Sequence, residues 1–209
     1  MLTVSTSKVA ANDVQRAYHH GDLRSALLDA GLKALETTDI ADISLRQLAR
    51  DVGVSATAVY RHFPDKQALM QALAQAGIDQ LGAYQQRAAT KAHGSAEAFA
   101  ATGRAYVRFA LANPSLFRLT FGQCDRAGHS LFGENLAAKM LRERAARASR
   151  GDAEAEQTLM IQAWAVVHGL AMLMLDRQLP ADDALIDRVI DARTLFGGYA
   201  LGSNSDESP

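Results

Sequence analysis

The sequence predicts an all-α protein, with a small three-helix domain near the N-terminus followed by a larger helical bundle, about nine helices in all. Apolar residues recur every three to four positions along most of the chain, which is the spacing of an amphipathic helix. No stretch alternates apolar and polar residues between turn signals, as a half-buried strand would. At 209 residues, the chain is long enough to build both parts.

Composition narrows the class of protein further. The single cysteine excludes a disulfide framework or a multi-cysteine zinc site. The N-terminus lacks the apolar stretch of a secretory signal. The most apolar run, residues 163–175, is interrupted by His168 and is shorter than the ~20 residues of a membrane-spanning helix. We therefore predict a cytoplasmic protein with no membrane contact.

The N-terminal part begins with polar, small residues that show no sustained periodicity, which is typical of a flexible arm. Asp22 is placed to cap a first helix with an apolar face at residues 23–35, and residues 37–43 break that helix. Asp65 is placed to cap a linking helix. The predicted organisation is an arm at 1–17, a first domain at 18–66 that continues through the linking helix to about 88, a second domain at 89–202 and a disordered tail at 203–209.

The segment at residues 44–66 carries the densest set of helix signals in the chain. It has the pattern of two short helices joined by a tight turn at Gly53. Ser44 and Gln47 have the spacing of a capping box, and Ser55 is placed to cap the second helix. A helix-turn-helix of this kind can place its second helix in the major groove of DNA.

Side chains in this segment have the chemistry of a DNA reader. Thr57 can bond a base or a phosphate, and Arg46 can donate two hydrogen bonds to a guanine. Tyr60, His62 and Lys66 are suited to phosphate contacts on either side of the groove. The alternative is a structural helical hairpin with incidental surface charge. The candidate DNA-binding residues are Ser44, Arg46, Ser55, Ala56, Thr57, Tyr60, Arg61, His62 and Lys66.

The run LRQLARDVGVSATAVYRHFPDKQALM closely resembles the N-terminal DNA-binding domain of the TetR family of transcriptional regulators. The resemblance covers about residues 18–85. It implies core positions for Val59 and Phe63, the phosphate contacts named above, and base contacts from Arg46 and the start of the second helix. The positions that match the family pattern are Gly53, Val54, Ser55, Tyr60, His62, Phe63, Lys66 and Leu69.

Charge and side-chain size set limits on this interpretation. The formal net charge is −1, and the first 66 residues carry eight Lys/Arg against eight Asp/Glu, so any basic footprint must be local. The small Ala56 and Ala58 depart from the family pattern because they offer no hydrogen bonds. Base readout is therefore expected from Arg46, Thr57 and Arg61.

The second part resembles the WHG-type C-terminal domain of a subset of this family, through the runs YVRFALANPSLFRLTFG and AWAVVHGLAMLML. Trp164, His168 and Gly169 supply the three letters. Trp164 and His168 share one helix face with Met160 and Met172. This row is either the wall of a pocket in which His168 orients a ligand, or packed core. The candidate ligand-binding residues are Tyr106, Phe109, Phe117, Phe121, Met160, Trp164, His168 and Met172.

The leading interpretation is a homodimeric repressor of a pseudo-palindromic operator on double-stranded DNA, released by a small apolar ligand. Predicted helices at 154–177 and 182–199 would form the dimer contact as a four-helix bundle. One alternative is a helical sensor or carrier whose helix-turn-helix no longer reads DNA, and another is an enzyme. Against the enzyme, the sequence shows no nucleophile–base pair, phosphate loop or metal-ligand spacing. We predict no catalytic residues, no metal and no cofactor.

Overall fold

A computed structural model describes residues 23–122 and 136–191, and this part of the chain is all-α. It therefore confirms the predicted fold class. The chain divides into two compact units, unit 1 at residues 1–72 and unit 2 at residues 73–209. The helices are α1 Leu23–Leu35, α2 Leu45–Val52, α3 Ala56–His62, α4 Lys66–Lys91, α5 Ser95–Ala112, α6 Pro114–Gly122, α7 Leu136–Ser149, α8 Ala153–Leu175 and α9 Asp183–Val189, with a 3₁₀ turn at Ile40–Asp42.

Several predicted features lie outside the described residues. They are the arm at 1–17, the cap at Asp22, the start of one predicted helix at 131–135, the end of another at 192–199, and the tail at 203–209.

Unit 1 is built from α1, α2 and α3, which pack on one another, and from the first turns of α4. Its core is apolar because each helix turns one face inward: Leu27 from α1, Leu48 from α2 and Val59 from α3 are almost fully buried. Phe63, directly after α3, is 2% exposed and closes this core. The predicted core positions Val59 and Phe63 are thus buried in the structure.

The turn between α2 and α3 depends on Gly53. Its φ of 77° is left-handed, a conformation that glycine adopts without steric cost, and its N–H bonds the carbonyls that end α2. Ser55 then caps α3, since its Oγ accepts the N–H of Ala58 at 3.2 Å. The predicted capping box at Ser44 is wrong: Ser44 is the N-cap residue but makes no side-chain cap bond. Gln47 instead bonds Arg50 and Asp51.

Unit 2 is organised around α5 and α8, which pack on each other, with α7 against α8 and α6 against α5. Asp152 caps α8 by accepting two backbone N–H groups. Among the described helices, α8 alone is long and apolar enough to cross a membrane by length and composition, a test that a core helix of a water-soluble protein also passes.

Ionic contacts hold α9 against α5. Arg108 bonds Asp183 at 2.7 Å and Asp187 at 2.9 Å. Burial is the largest single effect on the pKa of its guanidinium and lowers it, but the hydrogen bonds and charges of the two carboxylates together raise this pKa above its ordinary value. Arg104 pairs with Glu97 and donates to the backbone oxygen of Ile190 at 2.9 Å. The helix ends at Val189, so the prediction of a continuous helix from 182 to 199 is wrong. Arg104 takes the carbonyl that a further helical turn would have used.

Candidate functional site

The exposed side of α3 carries most of the predicted DNA-binding side chains. Because Val59 and Phe63 face the core, the helical period turns Thr57, Tyr60 and Arg61 outward, and all three are exposed. Tyr60 is 44% exposed, which is unusual for a large aromatic side chain without a partner surface. The remaining candidates Arg46, His62 and Lys66 are exposed too, whereas Ala56 is half-buried.

The two serines among the candidates have different local roles. The Oγ of Ser55 is already engaged in capping α3. Ser44 is exposed at the start of α2 and makes no cap bond, so its hydroxyl remains available to an outside partner. Of the two, Ser44 is the better placed for a phosphate contact.

Lys66, the first residue of α4, makes an unexpected contact. Its Nζ donates to the backbone oxygen of Ala41 at 2.5 Å, and this ties the 3₁₀ turn to the start of α4. Sequence reasoning missed this bond because nothing in the spacing of the two residues pairs them. The partner is uncharged, so the positive charge of Lys66 is not neutralised.

Unit 1 and unit 2 differ in how their cations are compensated. Every ion pair shown among the described residues lies in unit 2, where Arg104, Arg108 and Arg118 are paired. In the described part of unit 1, Arg46 and Arg61 have no carboxylate partner. Although the unit has no basic excess, it therefore presents cations that are free to meet an anionic surface.

Arg24 is a further basic residue that the sequence analysis overlooked. Its guanidinium lies over the ring of Phe63, 5.3 Å from the centroid, and its side chain is exposed on α1. A cation held over an aromatic face is fixed in position while its charge remains accessible. The sequence shows only that Arg24 lies in the first turn of a helix, and nothing in it indicates the contact with Phe63.

Five of the eight predicted ligand-binding residues form one aromatic cluster in unit 2. His168 stacks on Trp164 with centroids 4.6 Å apart, and Phe117 and Phe121 lie 5.7 Å and 5.5 Å from the same ring. Tyr106 contacts Phe117 edge-on at 5.4 Å. We call these five residues the aromatic cluster. It joins α5, α6 and α8, which the sequence alone could not bring together.

Polar atoms in the aromatic cluster meet at one hydrogen bond, between Tyr106 Oη and His168 Nδ1 at 2.9 Å. Burial raises the pKa of Tyr106 far above its ordinary value, and the nearby side chain of Trp164 opposes this to a lesser extent. Burial also lowers the pKa of His168, because the apolar surroundings disfavour the imidazolium. Both side chains are therefore uncharged at neutral pH.

The other three predicted ligand-binding residues lie in different surroundings. Phe109 packs near Tyr84 of α4, with centroids 6.2 Å apart. Met160 belongs to the core between α7 and α8, together with Ala145 and Leu159. Met172 is half-buried on α8, one turn beyond His168. Their role in binding a ligand stays a prediction.

α6 contacts both the aromatic cluster and α4. Phe117 and Phe121 are its side chains in the aromatic cluster, while Leu116 and Thr120 face Gly77 of α4. The approach is so close that a β-carbon at Gly77 would overlap Thr120 Oγ1 and lie 3.1 Å from Leu116 Cδ1. Glycine is thus required at residue 77 by the helix contact, and not by its own backbone conformation.

The described residues hold no group of three or more metal-ligating side chains.

Two family models match the chain: "Bacterial regulatory proteins, tetR family" at residues 27–73, and "Tetracyclin repressor-like, C-terminal domain" at residues 99–193. Their boundaries place the motif of α2 and α3 in the first model and the aromatic cluster in the second. No curated protein matches the chain in sequence.

Solved structures share this architecture. A protein with unknown function from Rhodococcus sp. RHA1 is 34% identical, with 88% of this chain and 98% of that chain covered and a TM-score of 0.69. A protein described as a possible TetR family transcriptional regulator from Streptomyces coelicolor A3(2) is 18% identical, with coverage of 86% and 94% and a TM-score of 0.53. RolR, solved without ligand, is 17% identical, with coverage of 84% and 96% and a TM-score of 0.54.

The family models, the motif residues and the shared architecture agree with one another. The first model covers the helix-turn-helix and its core residues, and the second covers α5, α6, α8 and α9. The chain belongs to the TetR family of transcriptional regulators.

Proposed function

We propose that the protein is a dimeric transcriptional repressor that binds a pseudo-palindromic operator and is released from it by a small apolar ligand. The observation that carries this proposal is the exposed face of α3, where Thr57, Tyr60 and Arg61 project from a helix fixed to its core by Val59 and Phe63. A rigid helix with outward polar side chains and unpaired cations nearby suits the major groove. The proposed location is the cytoplasm.

Roles on the DNA follow from chemistry and placement. Arg46 and Thr57 read base edges, with Arg61 as the next candidate, because they combine exposure with hydrogen-bonding groups. Tyr60, His62 and Lys66 hold phosphates. Lys66 exchanges a neutral carbonyl of this chain for a phosphate oxygen, so it breaks no ion pair when DNA binds.

Dimerisation uses the outer face of α8. Ile161, Val166 and Leu173 are large apolar side chains exposed on this helix, and Val189 of α9 is exposed as well. Gly169 lies among them with open space at its β-carbon position. Val166 and Leu173 lie seven residues apart on one side of α8, and Ile161 lies at the edge of the same exposed surface. Exposed apolar side chains of this kind indicate an interface, and a two-fold dimer would pair the surface with its own copy.

Ligand release would act through α6. A molecule that enters the aromatic cluster must displace Phe117 or Phe121, and both belong to α6. The opposite side of α6 meets Gly77 without spare room, so α6 cannot move toward α4 unless α4 adjusts. α4 is one helix from Lys66 to Lys91, and its first residue is a proposed phosphate contact. The ligand shifts the equilibrium only if it binds the non-operator conformation better.

We expect selection from random duplexes to yield a two-fold symmetric site, bound with an affinity that falls steeply with salt. Arg46→Ala should weaken this site by about 1–3 kcal/mol and relax the preference at one base pair, because it removes a two-bond contact to a guanine. Tyr60→Phe should weaken all duplexes alike, since only a phosphate contact is lost. Both effects are measured by fluorescence anisotropy on selected and scrambled duplexes.

Arg50→Ala is the matched control for Arg46→Ala. It removes the same charge from the same helix, but Arg50 is bonded to Gln47 and should not reach a base. Its effect should be equal on selected and scrambled duplexes. If Arg46→Ala and Arg50→Ala are indistinguishable, or if no duplex is preferred, the repressor proposal fails and the sensor or carrier reading takes its place.

Leu173→Arg should convert the dimer to a monomer, because two charges would meet across the proposed two-fold face without partners. Leu173 is 39% exposed in the single chain, so the fold should survive, as circular dichroism would show. Sedimentation equilibrium gives the mass. Ala146→Arg, on the exposed side of α7, is the control and should remain dimeric. A dimer in both variants places the interface elsewhere.

A further inference from the structure

His168 has an unusual environment for a histidine. Its ring lies between Trp164 and Phe117, with interplanar angles of 14° and 30°, and Phe121 and Tyr106 meet it at steeper angles. Carbon surrounds the ring on most sides. The hydrogen-bonding character of the whole aromatic cluster is therefore set by the two imidazole nitrogens, the Tyr106 hydroxyl and the Trp164 indole N–H.

The contacts of Tyr106 determine which nitrogen carries the proton. Tyr106 is 5% exposed, and the hydrogen bond shown for its hydroxyl is the one to Nδ1 of His168. A buried hydroxyl hydrogen without an acceptor costs free energy, so Tyr106 donates its hydrogen to Nδ1. A neutral imidazole that accepts at Nδ1 holds its proton on Nε2.

The Nε2–H of His168 is left without a partner among the described residues. The side chain is half-buried, so this donor is reachable from outside the aromatic cluster. Because this donor is not among the buried unsatisfied atoms, water can bond it, and an acceptor on a ligand can take the place of that water. The site therefore offers one donor with aromatic rings beside it.

We propose that the ligand is an uncharged aromatic molecule with a carbonyl-type acceptor, such as an aryl ketone or ester, that accepts the Nε2–H of His168. This inference rests on the proposed function, because it names the ligand class of the same site. An arylamine is expected to bind more weakly, because its nitrogen lone pair is delocalised into the ring and is a poor acceptor. A carboxylate is rejected because Arg118, the cation next to Phe117, is already bonded to Asp176 at 2.6 Å.

The chain has one tryptophan, Trp164, so an indole signal reports on this site alone. The indole N–H of Trp164 produces a single cross-peak in a ¹H–¹⁵N spectrum, and titration of that peak gives the dissociation constant at the aromatic cluster. The probes are acetophenone, ethylbenzene, aniline and benzoate, which are similar in size. Acetophenone should bind ~3- to 10-fold more tightly than ethylbenzene, the range that one hydrogen bond supplies.

Two variants separate the hydrogen bond from the shape of the site. His168→Phe keeps an aromatic ring but has no N–H, so acetophenone and ethylbenzene should bind it equally. Tyr106→Phe removes the hydroxyl that keeps the proton of His168 on Nε2, so it should reduce the preference for acetophenone over ethylbenzene. Tyr84→Phe removes the same hydroxyl from a tyrosine that contacts Phe109 and not His168, and it should keep the full preference.

The tautomer can be measured without any ligand, from the long-range ¹H–¹⁵N correlations of the imidazole ring. A proton on Nε2 supports the proposal, and a proton on Nδ1 overturns it. Equal affinity for acetophenone and ethylbenzene, or no shift of the Trp164 peak with any probe, also overturns it. These titrations use no DNA. If the protein prefers acetophenone but no ligand releases it from the operator, the proposed ligand class stands. The proposal that a ligand controls repression then fails.

Discussion

Phe63→Ala should destabilise unit 1 by about 3–5 kcal/mol, the cost of removing a fully buried aromatic side chain from a closed core. Phe63 is 2% exposed, follows α3 directly, and supports the guanidinium of Arg24. The loss should appear as faster amide exchange in α1, α2 and α3, measured by mass spectrometry. Operator binding should disappear, since a unit of about 70 residues has little stability in reserve.

Tyr60→Ala is the matched control because it removes an aromatic side chain from the exposed face of the same region. Tyr60 is 44% exposed, so its loss should change the free energy of unfolding by no more than about 0.5 kcal/mol. Both variants should lose DNA affinity, but only Phe63→Ala should lose amide protection. Equal protection in the two variants would show that Phe63 does not anchor the core.

Gly77→Ala should destabilise unit 2 by about 1–3 kcal/mol, as overpacking of a tight helix contact does. The added methyl would overlap Thr120 Oγ1 and press on Leu116, so α6 must move away from α4. Urea denaturation followed by Trp164 fluorescence measures the loss. The same displacement would disturb Phe117 and Phe121, so the Trp164 cross-peak should shift in the folded variant.

Gly82→Ala lies in the same helix, with nothing within 4 Å of its β-carbon position. It should stabilise by about 0.5–1 kcal/mol through helix propensity alone. Adding Thr120→Ala to Gly77→Ala should restore part of the loss, whereas Thr120→Val should not, because valine keeps a branch where Oγ1 was. Parallel effects of Gly77→Ala and Gly82→Ala would refute the close contact.

Local sequence signals predicted the helix-turn-helix well. The turn at Gly53 and the cap at Ser55 depend on residues within one helical turn, and both are present in the structure. The capping box at Ser44 is absent because other side chains compete with the cap for Gln47. Gln47 has alternative partners on the exposed face of α2, because Arg50 and Asp51 lie three and four residues further along the helix and bond its side chain.

Contacts between residues far apart in the chain could not be predicted from the sequence. The spacing of four residues predicted that Trp164 and His168 share a face, and they stack. Tyr106 lies 62 residues from His168 in the chain, and its hydrogen bond depends on how α5 crosses α8. Phe109, also on α5, lies near Tyr84 of α4 and away from this hydrogen bond. A helical period fixes which residues share a face but not which neighbouring helix that face meets.

The unpaired cations of unit 1 bear on how the protein searches a genome. With a net charge of −1, the chain has little long-range attraction for DNA, and charges farther than about 8 Å from a phosphate are screened at physiological ionic strength. Attraction therefore begins only when Arg46, Arg61 and Lys66 already face the groove. Few molecules would be held on random sequence, so a small number of copies per cell would suffice to occupy one operator.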